Sequence, residues 1–317
     1  MAPPTAPNQV LTAFAMSYVA PDDFIADLAS PLIGVSRSVF EYFVAEVDKM
    51  YRDIKTEISE NGTATEIQVE GAYTAGKALD ESVVGFVPQT KIDDFASAGG
   101  YDPKQSVVKL AKTIMQRRRE IRVKTLLMAS GTYAAANRFA APTKWDNAAA
   151  EPLKDLLKAQ RLCLLSGDTA VIPAASWSLL AGNAATIKAI NPMGGDTVTE
   201  AAVLNYLRAY GFRRLLVGKA KYASTKEGQT TQTIGDIWST DNVAVYHGAQ
   251  DSSDPNEPRF IASFGRELGG KGIPILVREW WEDGRGALGA QAIATSRIIV
   301  EKVTAQLCGS LITDTET

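Results

Sequence analysis

Apolar and polar residues alternate strictly along Glu66-Ile67-Gln68-Val69-Glu70. A period of two places alternate side chains on opposite faces of a strand, so this segment is predicted to be a β-strand with one polar face. A partner strand is predicted near Ser82 to Pro88. Because a two-stranded ribbon is marginally stable alone in water, we expect a neighbouring surface, supplied by another copy of the chain, to cover its apolar face.

The first forty residues mix proline, alanine and short apolar runs without a sustained period. The runs are Phe24-Ile25-Ala26-Asp27 and Pro31-Leu32-Ile33-Gly34-Val35. We interpret this region as an extended arm that lies against another surface.

A long helix is predicted to begin at Asp102-Pro103 and to end near Gly131. Asp can cap free backbone N–H groups, Pro suits the first helical position, and Gly often follows a helix end. Basic side chains fill much of the helix. Apolar residues recur along it at steps of three, four and seven residues, which predicts one apolar face. The residues of this predicted face are Val107, Leu110, Ala111, Ile114, Ile121 and Met128.

Helices and strands alternate in the rest of the chain. Helices are predicted at 152–161, 176–190 and 199–210, each opened by a proline or hydroxyl residue. Strands are predicted from β-branched or aromatic runs at 214–218, 243–246, 260–264, 275–281 and 298–300. The fold class predicted is therefore α+β.

Composition bounds the function. The chain has 317 residues, 45% of them hydrophobic, and a formal net charge of −3, so it can bury a large core and carries no global positive field for nucleic acid. Cys163 and Cys308 lie in apolar segments, which favours free thiols in a reducing compartment. No secretory signal is recognised at the start, and no apolar run approaches the roughly 20 residues of a membrane span, so we expect no membrane contact.

Catalytic motifs are scarce. The single histidine, His247, excludes two-histidine metal sites and is interpreted as structural, and no Gly-x-Ser-x-Gly elbow occurs. Gly265 to Gly272 matches a phosphate-binding loop except at its last position, where Gly272 replaces the Ser or Thr that holds magnesium. Because a strand rather than a helix is predicted next, we interpret the segment as a glycine-rich hairpin connection. We expect no catalytic residue, no cofactor, no metal site and no enzymatic activity.

Basic residues cluster at Arg117, Arg118, Arg119 and Arg122. One interpretation is a solvated helix face with salt-bridge partners on neighbouring elements. The other is a surface that faces nucleic acid or the acidic residues of a neighbouring subunit. Together with Ile67 and Val69, these four arginines form the candidate assembly interface.

The order of elements and several stretches resemble the tailed-bacteriophage major capsid protein family, which has the Hong Kong 97 fold. The resemblance covers most of residues 20 to 312. Its most specific part is the strand, turn and strand over 215–238, which includes Leu215-Leu216-Val217-Gly218, Thr225-Lys226-Glu227-Gly228 and Ile237-Trp238. Further similar stretches are Phe24 to Asp27 in the arm, Gly71 to Pro88 in the extended loop, Thr143 to Asp146, Ala174 to Pro192, and Arg278 to Trp281.

The resemblance implies a division of the chain. It comprises an N-terminal arm (1–40), an extended loop hairpin and its base (41–95), a peripheral domain with a long spine helix (96–165), an axial domain (166–250), and return strands of the peripheral domain with a C-terminal tail (251–317). It also implies pentamers and hexamers of identical subunits that tile an icosahedral phage head around double-stranded DNA.

The implied partners are other copies of the chain, a separate scaffolding protein, a portal and a possible decoration protein, with non-specific contact to packaged DNA. The implied location is the virion, after assembly in the cytoplasm of the host bacterium. Two alternatives stay open: an encapsulin-like cellular nanocompartment shell of the same fold, and a nucleotide-dependent enzyme that uses Gly265 to Gly272.

Overall fold

The computed structural model describes residues 8–19, 24–46, 51, 53, 57, 71–78, 81–98, 102–194, 198–223, 231, 233–248, 258–266, 275–281, 289–296 and 299–316. The helices are α1 (Gln9–Ser17), α2 (Ala26–Ala29), α3 (Gln89–Ala98), α4 (Pro103–Leu127), α5 (Pro152–Leu162), α6 (Ala174–Gly182), α7 (Ala184–Ile190) and α8 (Glu200–Arg208). The strands are β1 (Leu32–Val35), β2 (Val39–Ala45), β3 (Gly71–Lys77), β4 (Glu81–Pro88), β5 (Arg138–Ala140), β6 (Thr169–Pro173), β7 (Arg214–Gly218), β8 (Lys221–Ala223), β9 (Ile234–Asp236), β10 (Val243–Tyr246), β11 (Ile261–Arg266), β12 (Ile275–Trp281), β13 (Gly289–Ser296), β14 (Ile299–Val303) and β15 (Gly309–Thr313).

The strands form five sheets. A five-stranded sheet has the order β5-β15-β10-β6-β7, and two three-stranded sheets have the orders β1-β11-β14 and β12-β13-β4. Two ribbons, β2-β3 and β8-β9, have two strands each. The α+β class predicted from the sequence is confirmed.

The five-stranded sheet is buried on both faces. Along β6, Ala170 and Ile172 pack with the apolar sides of α5 to α8, while Val171 between them packs with the end of α4. Along β10, Val245 packs in the cluster that contains Ala170 and Ile172, and Tyr246 packs in the cluster that contains Val171. Successive strand side chains point to opposite faces, so one sheet serves two hydrophobic clusters.

The start of α4 is as predicted. The Asp102 carboxylate accepts hydrogen bonds from the backbone N–H groups of Lys104 (2.9 Å) and Gln105 (3.3 Å), and Pro103 occupies the first turn. These contacts satisfy donors that have no partner within a helix.

The predicted apolar face of α4 is wrong in part. Leu110 is 60% exposed, whereas the buried apolar residues include Val108, Met115 and Val123. The buried face also contains the charged residues Lys112, Arg119 and Glu120, which the pattern places in solvent. Charges are buried when partners compensate their desolvation, and those partners lie on the arm, far away in sequence.

The arm contains helices and is not simply extended. The Asn8 carboxamide oxygen caps α1 by accepting from the Leu11 N–H (3.0 Å), and Leu11 and Ala15 pack against α4 and Val277 of the same chain. The arm therefore covers its own spine helix. A helix of nine residues depends on such tertiary contacts, which local periodicity does not reveal.

The predicted pairing of β4 with 66–70 is not tested, because residues 66–70 lie outside the described residues. Among the described residues, β4 pairs antiparallel with β13, with Glu81 opposite Ser296 and Pro88 opposite Gly289. A two-stranded ribbon forms between β2 and β3, with Val39 opposite Lys77 and Ala45 opposite Gly71. Strand pairing depends on which edges the fold makes available, so the strand next in sequence is not always the partner.

Two smaller differences concern connections. The helix predicted at 176–190 is divided at Asn183, which ends α6 and caps the N-terminus of α7 through its side chain. The glycine-rich segment after β11 leads to β12, but β11 pairs with β1 and β14 whereas β12 pairs with β13. It therefore joins two sheets and is no hairpin connection, and residues 267–274 lie outside the described part.

We expect Gly218→Ala to destabilise the fold. A Cβ at this position would lie 2.3 Å from Cγ of the Trp238 ring, which is 1% exposed. Forcing extra volume into a packed core costs about 1–3 kcal/mol, so urea unfolding of the unassembled subunit should show a loss of that size. Gly131→Ala is the matched control, because nothing lies within 4 Å of its Cβ position. Equal midpoints for both variants would contradict the packing argument.

Candidate assembly surface

Lys112 fastens the C-terminal end of α1 to α4. Its ammonium group donates to the backbone carbonyl oxygens of Ala15 (2.7 Å), Met16 (3.4 Å) and Tyr18. A lysine has three N–H donors, so this buried group is fully satisfied. Positive charge is also favourable at the carbonyl end of a helix. Burial lowers the pKa of Lys112.

Glu120 fastens the N-terminal end of α2. Its carboxylate accepts from the backbone N–H groups of Ile25 (3.1 Å) and Ala26 (2.8 Å) and from the indole N–H of Trp238 (2.7 Å). Burial raises the pKa of this carboxyl, and the three donors together with the Arg119 charge partly offset that effect. One side chain thus joins the arm, α4 and the segment after β9.

Arg119 adds a third attachment. Its guanidinium forms an ion pair with Asp27 in the first turn of α2 and donates to the carbonyl oxygen of Ser30 (2.8 Å). Lys112, Arg119 and Glu120 form the arm clamp, the set of charged α4 residues that hold residues 8–30.

Further ion pairs tie α4 to the sheet β12-β13-β4. Arg122 pairs with Glu81 at the start of β4 (2.7 Å), and Lys104 pairs with Glu279 in β12 (3.1 Å). The same Glu279 accepts from the side chain of Asn8 (2.8 Å), so strand, helix and arm meet at one carboxylate.

The four candidate arginines have different surroundings. Arg119 is buried and Arg122 half-buried, each with the partners described above, and Arg117 is half-buried. Arg118 is exposed. Arg119 and Arg122 thus act within their own chain, and contact of this cluster with a neighbouring subunit stays a prediction. Ile67 and Val69 lie outside the described residues.

The ribbon β2-β3 is anchored at one end and exposed along much of its length. Phe40 and Tyr42 pack on Phe264 of β11, and their ring centroids lie 5.1 and 5.2 Å, respectively, from the centroid of the Phe264 ring. Further along, Phe43 lies 5.3 Å from Tyr73, and Tyr73 is 74% exposed. Strand β3 is exposed at six of its seven positions. The sequence analysis did not identify Tyr73 as a candidate interface residue. An aromatic side chain in a strand was the signal that could have indicated it.

The described residues offer little catalytic chemistry. Within them, no three His, Cys, Asp or Glu side chains are placed to hold a metal ion. A ring nitrogen of His247 lies 3.0 Å from the carbonyl oxygen of Ser166, a structural contact. Cys163 and Cys308 are buried free thiols, and burial raises their pKa values to about 12 and about 11. No helix in the described ranges has the length and hydrophobicity needed to cross a membrane.

The structure is similar over nearly its whole length to solved phage proteins. A phage-related protein from Bordetella bronchiseptica RB50 is 16% identical, with a TM-score of 0.74 over 98% of this chain and 97% of that one. The capsid of cyanophage P-SCSP1u is 9% identical, with a TM-score of 0.56 over 94% and 89% of the two chains. The chain has the Hong Kong 97-like capsid fold.

The structure is also similar to a virus-like particle from Pyrococcus furiosus at 12% identity, with a TM-score of 0.54 over 95% of each chain. No protein-family model matches the sequence, and no curated protein matches it. The resemblance noted from residue patterns is therefore confirmed at the level of the fold. The assignment of residues 1–40 to an N-terminal arm and of α4 to a spine helix stays a prediction.

We expect Lys112→Met to release α1 from the spine helix while α2 stays attached. The carbonyl groups at the end of α1 would lose a charged donor, an interaction that contributes about 1.5–3 kcal/mol. Chymotrypsin should then cleave after Phe14 and Tyr18 at least about tenfold faster, as followed by mass spectrometry. Lys124→Met on the same helix is the control, and equal cleavage rates for the two variants would refute this role of Lys112.

Glu120→Gln should change how stability depends on pH. Because the folded pKa of Glu120 is raised, its protonated form favours folding, and this contribution is lost as pH rises from the ordinary glutamate value of about 4.3 through the folded pKa. The stability of the unmodified protein relative to Glu120→Gln should therefore fall as the pH rises above about 4.3. Urea unfolding at several pH values measures this. Glu151→Gln, an exposed residue, should leave the pH profile unchanged.

Proposed function

We propose that this chain is the major capsid protein of a tailed bacteriophage. It would self-assemble into pentamers and hexamers of an icosahedral head that encloses double-stranded DNA. The observation that carries the proposal is the extent of the similarity to the phage-related protein, which covers 98% of this chain and 97% of that one. Almost no part of the chain is left for a different activity.

The thin elements of the fold support self-assembly. A two-stranded ribbon is marginally stable unless another surface covers it, and β2-β3 is attached to the body mainly through Phe264. Tyr73 and Val39, exposed at 74% and 63%, are aromatic and β-branched residues of the kind buried between subunits. Another copy of the chain would complete this face.

We propose the same five-part division of the chain that the resemblance implies. One structural observation bears on it. The five-stranded sheet combines β6, β7 and β10 from residues 166–250 with β5 and β15 from outside that range. The axial domain would therefore share its sheet with one strand of the preceding segment, β5, and one strand of the following segment, β15. Scaffolding, portal and decoration proteins, virion location and assembly in the host cytoplasm belong to the same proposal.

We propose a structural and not a catalytic role. Residues 267–274 lie outside the described residues, and the next described element after β11 is strand β12, whereas a phosphate-binding loop leads into a helix N-terminus. A titration with ATP and magnesium tests the enzyme alternative. Saturable micromolar binding that Lys271→Ala abolishes would support that alternative.

Electron microscopy of the purified protein tests shell formation. Expressed with or without a scaffolding protein, the chain should give rings or closed particles, and a strictly monomeric folded product would count against the proposal. The contents of the particles separate a phage head from a cellular nanocompartment. Nuclease-resistant DNA indicates the former, whereas a cargo protein with a docking peptide indicates the latter.

Ile67→Glu combined with Val69→Glu should abolish closed particles and leave a folded subunit. The alternation over 66–70 places these two residues on the apolar face that a neighbouring copy would cover. Gln68→Glu on the opposite face is the matched control and should still assemble. Circular dichroism checks folding and negative-stain microscopy counts particles. Normal particles from the double variant would remove these residues from the interface.

A broader deletion has to respect the observed pairing. Removing 61–84, as the sequence alone suggests, would also delete β3 and half of β4, which pairs with β13. Replacing 47–69 with Asn-Gly keeps Ala45 opposite Gly71 and closes the ribbon with a tight turn. We expect a folded subunit that forms no shells.

A further inference from the structure

The exposed face of α5 carries only basic charge. Lys154, Lys158 and Arg161 are exposed, while the positions between them are buried or half-buried. Their spacing of four and three residues places them along one side of the helix over about 10 Å. This set is called the α5 basic face below.

The two cations at the C-terminal end of this face have no ion-pair partner in the part of the chain that the structure describes. The ammonium of Lys158 lies 4.1 Å from the centre of the Phe139 ring, whereas Lys154 forms an ion pair with Glu151 (2.5 Å). The nearest acid along the helix, Asp155, is buried and accepts from the indole N–H of Trp145 (3.0 Å). Burial raises the pKa of Asp155 and the charge of Lys158 partly offsets that effect, but the two groups form no direct ion pair.

The basic run of α4 differs in this respect. Arg119 and Arg122 are paired with Asp27 and Glu81 inside the chain, so much of the charge that looked available in the sequence is already neutralised. Arg118 in the same run is exposed and, like Lys158 and Arg161 on α5, forms no ion pair with a described residue, so α4 supplies the comparison for α5.

A tyrosine borders the same surface. Tyr210 is 48% exposed and lines a shallow recess with Lys158 and Arg161. Its backbone is fixed by the buried Gln160 side chain, which donates to the carbonyl oxygens of Tyr210 (2.8 Å) and Gly167 (2.9 Å). The Tyr210 hydroxyl lies 3.5 Å from the hydroxyl of Tyr206, and a phenolic hydroxyl can donate a hydrogen bond to an anionic oxygen.

Resting on the proposed function, we propose that the α5 basic face binds backbone phosphates of the enclosed double-stranded DNA. This places α5 on the inner side of the shell. Lysine, arginine and tyrosine contact phosphate without reading bases, so the binding is independent of sequence. An acidic polypeptide fits less well, because protein interfaces bury an apolar centre and this face offers no large exposed aliphatic side chain.

The test measures binding of a fluorescent 25-base-pair duplex of arbitrary sequence to the full-length, unassembled subunit. Fluorescence anisotropy at 20 to 100 mM salt gives the affinity and its salt dependence. The variant combines Lys158→Gln with Arg161→Gln. The matched control combines Arg118→Gln with Lys124→Gln on α4, which changes net charge by the same amount.

Each phosphate contact contributes about 0.9 to the slope of log affinity against log salt. Loss of two contacts should lower that slope by about 1.8 and the affinity at 0.1 M salt by about fifty-fold. The control pair should change both values little. Unfolding by urea verifies that the variants are folded.

The proposal is overturned by no binding of the unmodified subunit at 20 mM salt, by equal losses for the two pairs, or by unchanged DNA affinity in the α5 variant, whether or not that variant assembles. Unchanged affinity in a variant that no longer assembles would assign the face to a protein partner. Particle formation by the unmodified chain is scored separately by microscopy. Failure to form shells therefore refutes the proposed function, whereas shells with unaltered DNA binding in the α5 variant refute only this inference.

Discussion

The arm clamp is the interaction on which the rest of this structure depends. Lys112, Arg119 and Glu120 are buried on α4, and a buried charge without partners would cost several kcal/mol. The arm supplies those partners as helix-end carbonyls, helix-start amides and Asp27. Arm and spine helix therefore need each other: the helix cannot bury these charges alone, and the two short arm helices are too short to persist alone.

The clamp also positions the central core. Glu120 receives the indole N–H of Trp238, and that ring lies against Gly218 at the end of β7. Strand β7 belongs to the five-stranded sheet, and strand β1 of the arm adds to the sheet that contains β11 and β14. A single carboxylate thus links the arm, the spine helix and the edge of the large sheet.

The body is well packed, whereas the ribbon is not. The central strands of the five-stranded sheet are covered on both faces, but β2-β3 leaves most of one strand exposed. This contrast gives the self-assembly proposal its physical basis, since a neighbouring subunit would cover such a ribbon. The N-terminal arm was also expected to lie against another surface, and in the structure that surface is α4 of the same chain.

The sequence by itself determined the elements whose signals are local. Asp102-Pro103 marks the start of α4 because a carboxylate cap and a fixed φ act within one turn, and apolar runs mark β7 and β10 because burial demands them. The capsid fold was also recognisable, since the order of elements is a property of the chain.

Only the tertiary structure decided pairing and burial. Val87 lies in a strand either way, but its partner, β13, is about two hundred residues distant and no local pattern specifies it. Lys112 and Glu120 read as solvent-facing because a charge is normally hydrated, and the donors and acceptors that permit their burial lie about ninety-five residues away. The candidate arginines followed the same rule: charge is visible in a sequence, whereas its neutralisation by a distant carboxylate is not.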